Sequence, residues 1–210
     1  MTPRYFIRSE EDYRAMVSDA ATIFRLEERL PGQVFRETMG MFRFLDIVSF
    51  AQSAFWTMLL ELATLFGDQE IRILIQEPSA FEYKEWMAVF GALRFPVSTT
   101  GQEYFDTFRY DSSDGKKLPV LYFSVNTFCL YGSSQRWGIY GHRDLDLAIG
   151  AIQLSDKMKN EWAQLSGPLW RGKQDARDSV STNAQFRKDF ISFTETLFAR
   201  YELIMQSAPG

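Results

Sequence analysis

The chain contains one histidine, His142, and one cysteine, Cys129, among its 210 residues. A metal site with two or more histidine ligands is therefore excluded. A nucleophilic Cys–His pair needs an accessible thiolate. Cys129 lies between Phe128 and Leu130 in an apolar run, which predicts a buried, inert thiol. The sequence also lacks the G-x-S-x-G nucleophile elbow and the glycine-rich phosphate loops.

One short stretch imitates a kinase motif. His142 to Leu145 spells the first four residues of the kinase catalytic loop. That loop requires an asparagine five residues after its aspartate to hold a metal ion, and here Ile149 occupies the position. The tetrapeptide also falls between two expected strands, so we interpret it as a turn and exclude kinase chemistry.

Paired carboxylates are the remaining candidates for catalysis. Asp111 and Asp114 flank a turn, and Asp144 and Asp146 share one face if a strand begins early. Two acids at a suitable separation can hydrolyse a glycosidic bond without a metal. Aspartates are also common turn residues, and we expect Asp144 to pair with a nearby arginine. A metal-free hydrolase that uses paired carboxylates therefore stays open as an alternative function.

The charge balance argues against nucleic-acid binding. The formal net charge is −4 and the sequence pI is near 5.2, and the longest basic cluster is the pair Lys116-Lys117. A nucleic-acid surface needs a continuous basic track. Arg136, Trp137 and Arg143 form at most a small patch, for which an arginine stacked on a tryptophan at a sheet edge is the simpler expectation.

The composition favours one globular domain over residues 1–210. Hydrophobic residues make up 46% of the chain, and the aromatic fraction of 16% is high, with 19 Phe, 9 Tyr and 5 Trp. Such rings stabilise a core and also anchor interfaces, and both roles stay open. The N-terminus lacks a signal-peptide layout, and the most apolar stretch, Ile47 to Leu60, is too short to span a bilayer. We therefore expect a cytoplasmic protein without a membrane segment.

Periodicity predicts an α+β fold, with an antiparallel meander sheet of four to six strands flanked by N-terminal and C-terminal helices. Ser9 to Asp12 and the Ser79/Glu82 pair are helix-capping patterns. The predicted helices run from Ser9 to Pro31-Gly32, over 49–66, from Ser79 to Gly91, over 155–165 and over 183–205. The predicted strands cover 71–76, 104–110, 118–131, 136–140 and 145–153, and the polar segment 167–181 is expected to be a loop.

Two stretches of the sequence resemble a known group. The first is Phe55-Trp56 followed by Leu59, then 67–70 and the strand 71–78, and the second is a hairpin. Residues 134–145 read S-Q-R-W-G-I-Y-G-H-R-D-L, which is similar to a hairpin of the form S-x-R-W-x-x-x-G-x-R-D in bacterial proteins of comparable length. Those proteins resemble the immunity proteins of polymorphic toxin systems, which are small, acidic, cytoplasmic α+β domains. Within the hairpin, Gly138 and Gly141 are expected to permit tight turning.

The resemblance implies a protein-binding, immunity-like protein that neutralises a toxin by occluding its active site. Its partner would be a basic toxin domain, attracted by the acidic chain. No catalytic residue, metal, cofactor, nucleic acid or membrane is expected. A structural or scaffold subunit that self-assembles through its aromatic residues is the other alternative, and the oligomeric state is left open. The predicted partner-binding residues lie in exposed turns and the hairpin: Asp111, Asp114, Arg136, Trp137, His142 and Arg143.

Overall fold

A computed structural model describes residues 4–47, 50, 52–109, 125–165, 167, 169–183 and 189–202. These residues form one seven-stranded antiparallel sheet with helices on both faces, which confirms the predicted α+β class. The strands are β1 (Met39–Leu45), β2 (Glu70–Glu77), β3 (Ala92–Pro96), β4 (Thr127–Gly132), β5 (Trp137–His142), β6 (Leu147–Gln153) and β7 (Trp170–Arg171). The helices are α1 (Glu10–Ala20), α2 (Ser53–Phe66), α3 (Ala80–Met87), α4 (Gly101–Phe108), α5 (Lys159–Gln164), α6 (Lys173–Asn183) and α7 (Phe190–Glu202), with a 3-10 turn at Arg143–Leu145.

The predicted meander forms the centre of the sheet. The strand order is β3-β2-β4-β5-β6-β1-β7, so β4, β5 and β6 are consecutive neighbours. The outer strands come from other parts of the chain. On one side β2 pairs with β4, with β3 beyond it, and on the other side β1 pairs with β6, with β7 beyond it. The sheet thus has more strands than the four to six expected, and β1, β3 and β7 are the ones that sequence reasoning missed.

Both faces of the sheet are buried. Ile73 and Ile139 contribute to a core beneath α2 and α4. Leu74 and Tyr140 point into a second core covered by α1, α6 and α7. Alternate residues of a strand point to opposite faces, so a sheet covered on both sides needs apolar residues at every position. The central strands accordingly read as continuous apolar runs.

The capping patterns are confirmed, although several helices are shorter than predicted, the first of them by the most. Ser9 accepts a hydrogen bond from the Asp12 backbone N–H at 3.0 Å, and Ser79 and Glu82 form a reciprocal capping box. Gly67 closes α2 in the left-handed conformation, with φ 73°. The first helix ends at Ala20 and does not reach Pro31-Gly32. Segment 21–35 continues as turns held by a bridge between Phe24 and Phe35.

The strand predicted over 104–110 is wrong. Residues 101–108 form helix α4, whose first turn is closed by a capping box between Thr100 and Glu103. Tyr104 and Phe108, four residues apart, both lie buried, which is the spacing of one helix face. The Thr100-x-x-Glu103 pattern is the signal that identifies this helix.

The C-terminal third is more helical than predicted. The loop expected over 167–181 is wrong for its second half, since α6 spans Lys173–Asn183 and buries Ala176 and Val180 against the sheet. The amphipathic helix predicted over 183–205 is present as α7 over Phe190–Glu202. Among the helices of the described residues, none combines the length and apolar character needed to cross a membrane.

Candidate functional site

The β4–β5 hairpin, which contains most of the stretch 134–145, is anchored by a buried carboxylate. Asp68, directly after α2, is 4% exposed. Its oxygens accept hydrogen bonds from the Ser134 backbone N–H at 2.5 Å and from the Trp137 indole N–H at 2.7 Å. The Ser133 hydroxyl donates to the same carboxylate at 3.3 Å. A side chain at Gly132 would overlap the Asp68 carboxylate, so the close approach itself requires glycine there.

Arg136 is held at the base of the same hairpin. It donates to both carboxylate oxygens of Asp156, at 2.6 and 2.8 Å, and to the Phe66 carbonyl at 3.1 Å. Hydrogen bonding from Arg136 lowers the pKa of Asp156. The guanidinium lies over the Phe66 ring, 5.1 Å from its centroid, so the expected stacking on a tryptophan is replaced by stacking on a phenylalanine.

Trp137 faces the core and not the solvent. Its side chain is 0% exposed, next to Asp68 and Phe66. It therefore offers no surface of its own to a partner, and a contribution to binding would come through support of the hairpin. Its role, like that of Arg136, stays a prediction, although each residue has an evident structural partner.

His142 and Arg143 lie at the far end of β5 from Arg136 and Trp137. The five residue-to-residue steps from Trp137 to His142 correspond to roughly 17 Å along the strand. The Arg143 backbone N–H donates to the Asn126 carbonyl at 2.8 Å. The structure does not bring these two pairs of predicted site residues together. Asp111 and Asp114 lie outside the described residues.

The second predicted carboxylate pair is separated. Asp144 is exposed in the 3-10 turn and lies 3.7 Å from Arg143. Asp146, in the left-handed position after that turn, lies 3.3 Å from Arg171. These two acids do not share a strand face, and neither lines a cavity identified among the described residues.

The two glycines of the hairpin motif leave room for aromatic rings of neighbouring elements, and neither of them lies in a turn. Gly138 and Gly141 lie inside β5, which corrects the expectation of tight turning. A side chain at Gly138 would lie 2.6 Å from the Phe24 ring, and one at Gly141 would lie 2.7 Å from Phe128 Cε1. Cys129, in the neighbouring strand, is buried as predicted, and burial raises the pKa of its thiol.

The aromatic residues belong mainly to the two cores. The largest fully buried side chains include three tryptophans, Trp56, Trp137 and Trp162. The large apolar side chains exposed among the described residues are Phe81, Leu154 and Ile191, on separate elements. Core packing thus accounts for most of the aromatic residues that the structure describes.

A concave surface of the described residues runs along α2, and we call it the α2 groove. One part is a half-open depression of about 300 Å³ between α2 and the segment leading into β7, and the adjoining part is a shallow, mostly open depression of about 540 Å³. Thr57 and Glu61 line both parts. The remaining lining residues are Ala54, Met58, Gly167, Leu169 and Trp170 in the first part, and Leu60, Thr64, Leu65 and Leu165 in the second.

The α2 groove is apolar apart from Glu61. The hydroxyl of Thr57 already donates to the Ser53 carbonyl at 3.1 Å, and that of Thr64 donates to the Leu60 carbonyl at 2.8 Å. Glu61 is exposed and forms no hydrogen bond or ion pair within the described part of the chain. Leu60 and Leu65 remain partly exposed in the groove.

The described residues contain no cluster of three or more side chains suited to hold a metal ion. The chain matches no protein-family model, no curated protein and no solved structure.

Proposed function

We propose that this chain is a protein-binding, immunity-type protein that binds a basic toxin domain in the cytoplasm and neutralises it by covering the toxin's active site. The observation that carries the protein-binding part is the α2 groove. The toxin as partner, and occlusion as mechanism, come from the resemblance of the hairpin at 134–145.

The shape of the groove suits a segment of another protein. From Ala54 to Leu65 it follows α2 for about 17 Å, which matches three turns of a docked helix. Its lining is mostly aliphatic and aromatic, and such grooves accept amphipathic helices through their apolar face. The formal net charge of −4 would favour encounter with a basic partner.

The alternatives have weaker support. A carboxylate-pair hydrolase needs two acids around one cleft, whereas among the described residues Glu61 is the single acid that lines either part of the α2 groove. A self-assembling scaffold was suggested by the aromatic excess, and core packing accounts for most of those rings.

The test combines capture with neutralisation. The purified protein would be immobilised and exposed to lysate of its source organism, and each retained protein would be expressed alone and together with this chain. We expect a retained protein that arrests growth when expressed alone and is harmless when the two are co-expressed. Growth arrest that persists despite co-expression and complex formation would contradict neutralisation. Retained proteins that are all harmless alone would also count against the immunity function.

A further inference from the structure

We infer that the α2 groove binds a partner segment through one basic side chain, an arginine or lysine flanked by apolar residues, with Glu61 as the group that recognises its charge. This inference rests on the proposed protein-binding function and specifies the chemistry of the bound segment.

Glu61 is the residue that would make the α2 groove prefer a basic side chain. Two acids in the connections of the sheet are paired with cations: Asp156 binds Arg136 at 2.6 Å, and Asp46 binds Arg171 at 2.8 Å. Glu61 has no such partner within the described residues, although apolar side chains surround it. A charge at an apolar surface is less screened than one in bulk water, so a cation placed in the groove would interact with Glu61 more strongly than with an acid that faces open solvent on all sides.

The rest of the groove suits the stem and the neighbours of a basic side chain. Because the Thr57 and Thr64 hydroxyls already donate within α2, the walls compete little for polar groups of a ligand. Met58, Leu60 and Leu65 offer aliphatic contacts to the methylene stem of an arginine or lysine, which packs readily on apolar surface.

An aromatic ring completes the site. Trp170 lines the first part of the groove together with Glu61. The Arg43 guanidinium already lies over this ring, 4.2 Å from its centroid, so the ring offers a ligand apolar contact and Glu61 supplies the recognition of charge. A carboxylate beside apolar walls is the complement of a basic side chain with a methylene stem.

A charge-swap experiment with defined peptides tests this assignment. The probes are fluorescent helical peptides of alanine and leucine that differ at one central residue, which is arginine, the neutral isostere citrulline, or glutamate. Binding would be measured by fluorescence anisotropy to wild type, Glu61→Gln and Glu61→Lys. Glu85→Lys, with the same charge change at an exposed position on α3, is the matched control, and circular dichroism verifies that each variant folds.

Wild type and Glu85→Lys should prefer the arginine peptide over the citrulline peptide by about fivefold, the upper range for an exposed ion pair. Glu61→Gln should lose this preference, and Glu61→Lys should prefer the glutamate peptide. Equal binding of all peptides to wild type, no measurable binding of any, or an unchanged order for Glu61→Lys would overturn the inference. Competition by free arginine amide as effective as that of the arginine peptide would identify a small cation as the occupant and would also overturn it.

Failure of this inference differs from failure of the proposed function. If Glu61→Lys neutralises a captured toxin as well as wild type does, the toxin binds at another surface. The assignment of the groove would then be wrong, and the proposed immunity function would be supported. If the peptide preferences hold but no captured protein is neutralised, the groove assignment stands and the immunity function falls.

Discussion

Replacing Asp68 by alanine should destabilise the whole protein, because this carboxylate joins the end of α2 to the central β4–β5 hairpin. Asp68 accepts hydrogen bonds from the Ser134 backbone N–H, the Trp137 indole and the Ser133 hydroxyl. Alanine would leave the first two donors without an acceptor. Trp137 is 0% exposed, so water replaces the lost partner of its indole only at a cost.

The size of the loss in stability follows from the two hydrogen-bond donors that lose their acceptor. A buried donor left unsatisfied costs about 1–3 kcal/mol. The Trp137 indole should lie in the upper part of this range, and the half-buried Ser134 N–H, which water reaches more easily, in the lower part. We expect the free energy of unfolding to fall by about 3 kcal/mol, which is a more than hundredfold fall in the folding equilibrium constant.

Urea denaturation followed by tryptophan fluorescence would measure the change. Glu85→Ala, which removes an exposed acid, is the control and should stay within about 0.5 kcal/mol of wild type. Trp137→Phe removes the indole donor that Asp68→Ala leaves without an acceptor. The double variant Asp68→Ala/Trp137→Phe should therefore lose less free energy of unfolding than the sum of the two single variants. A loss below about 1 kcal/mol for Asp68→Ala, or strict additivity in the double variant, would refute the reasoning.

Three further predictions concern the sheet and its supports. The pKa of Asp156 is lowered by Arg136, so this pair stabilises the protein above the ordinary carboxyl range and loses its effect as acid protonates Asp156. Asp156→Asn should therefore be less stable at neutral pH and show a shallower fall in stability below about pH 4, measured by urea midpoints across pH. Gly141→Ala should cost about 1–3 kcal/mol through overpacking against Phe128, a loss that thermal unfolding would detect and that Phe128→Leu should partly relieve; an unchanged melting temperature would contradict it. The raised pKa and burial of Cys129 predict that a thiol reagent labels it only on unfolding, so rapid labelling of the native protein would show the strand to be accessible.

The helix caps and the central hairpins could be predicted because their signals are local. The Ser79/Glu82 pattern depends only on residues three apart, and β4, β5 and β6 are joined by short turns. The helix α4 was missed because the aromatic residues at 104–108 were interpreted as strand residues, although Thr100 and Glu103 supply a capping box. Here the cap was more informative than the composition.

Other features depend on contacts distant in sequence. Strand β1 joins the sheet through β6, more than a hundred residues later, and a segment buried on both faces lacks the alternation that marks a half-exposed strand. The partners of Arg136, which are Asp156 and the Phe66 carbonyl, lie on other elements. The α2 groove could not be predicted from the sequence either. Periodicity shows that a helix is apolar, but it does not show which apolar residues the neighbouring elements leave exposed.

The most direct test of the proposed function is a titration of the toxic activity of a captured partner with this protein. We expect the partner's activity to fall linearly and to reach zero near one equivalent of this protein, because a tight complex would cover the active site. Formation of a stoichiometric complex in which the partner keeps its full activity would contradict occlusion and leave this chain as a binding protein without a neutralising role.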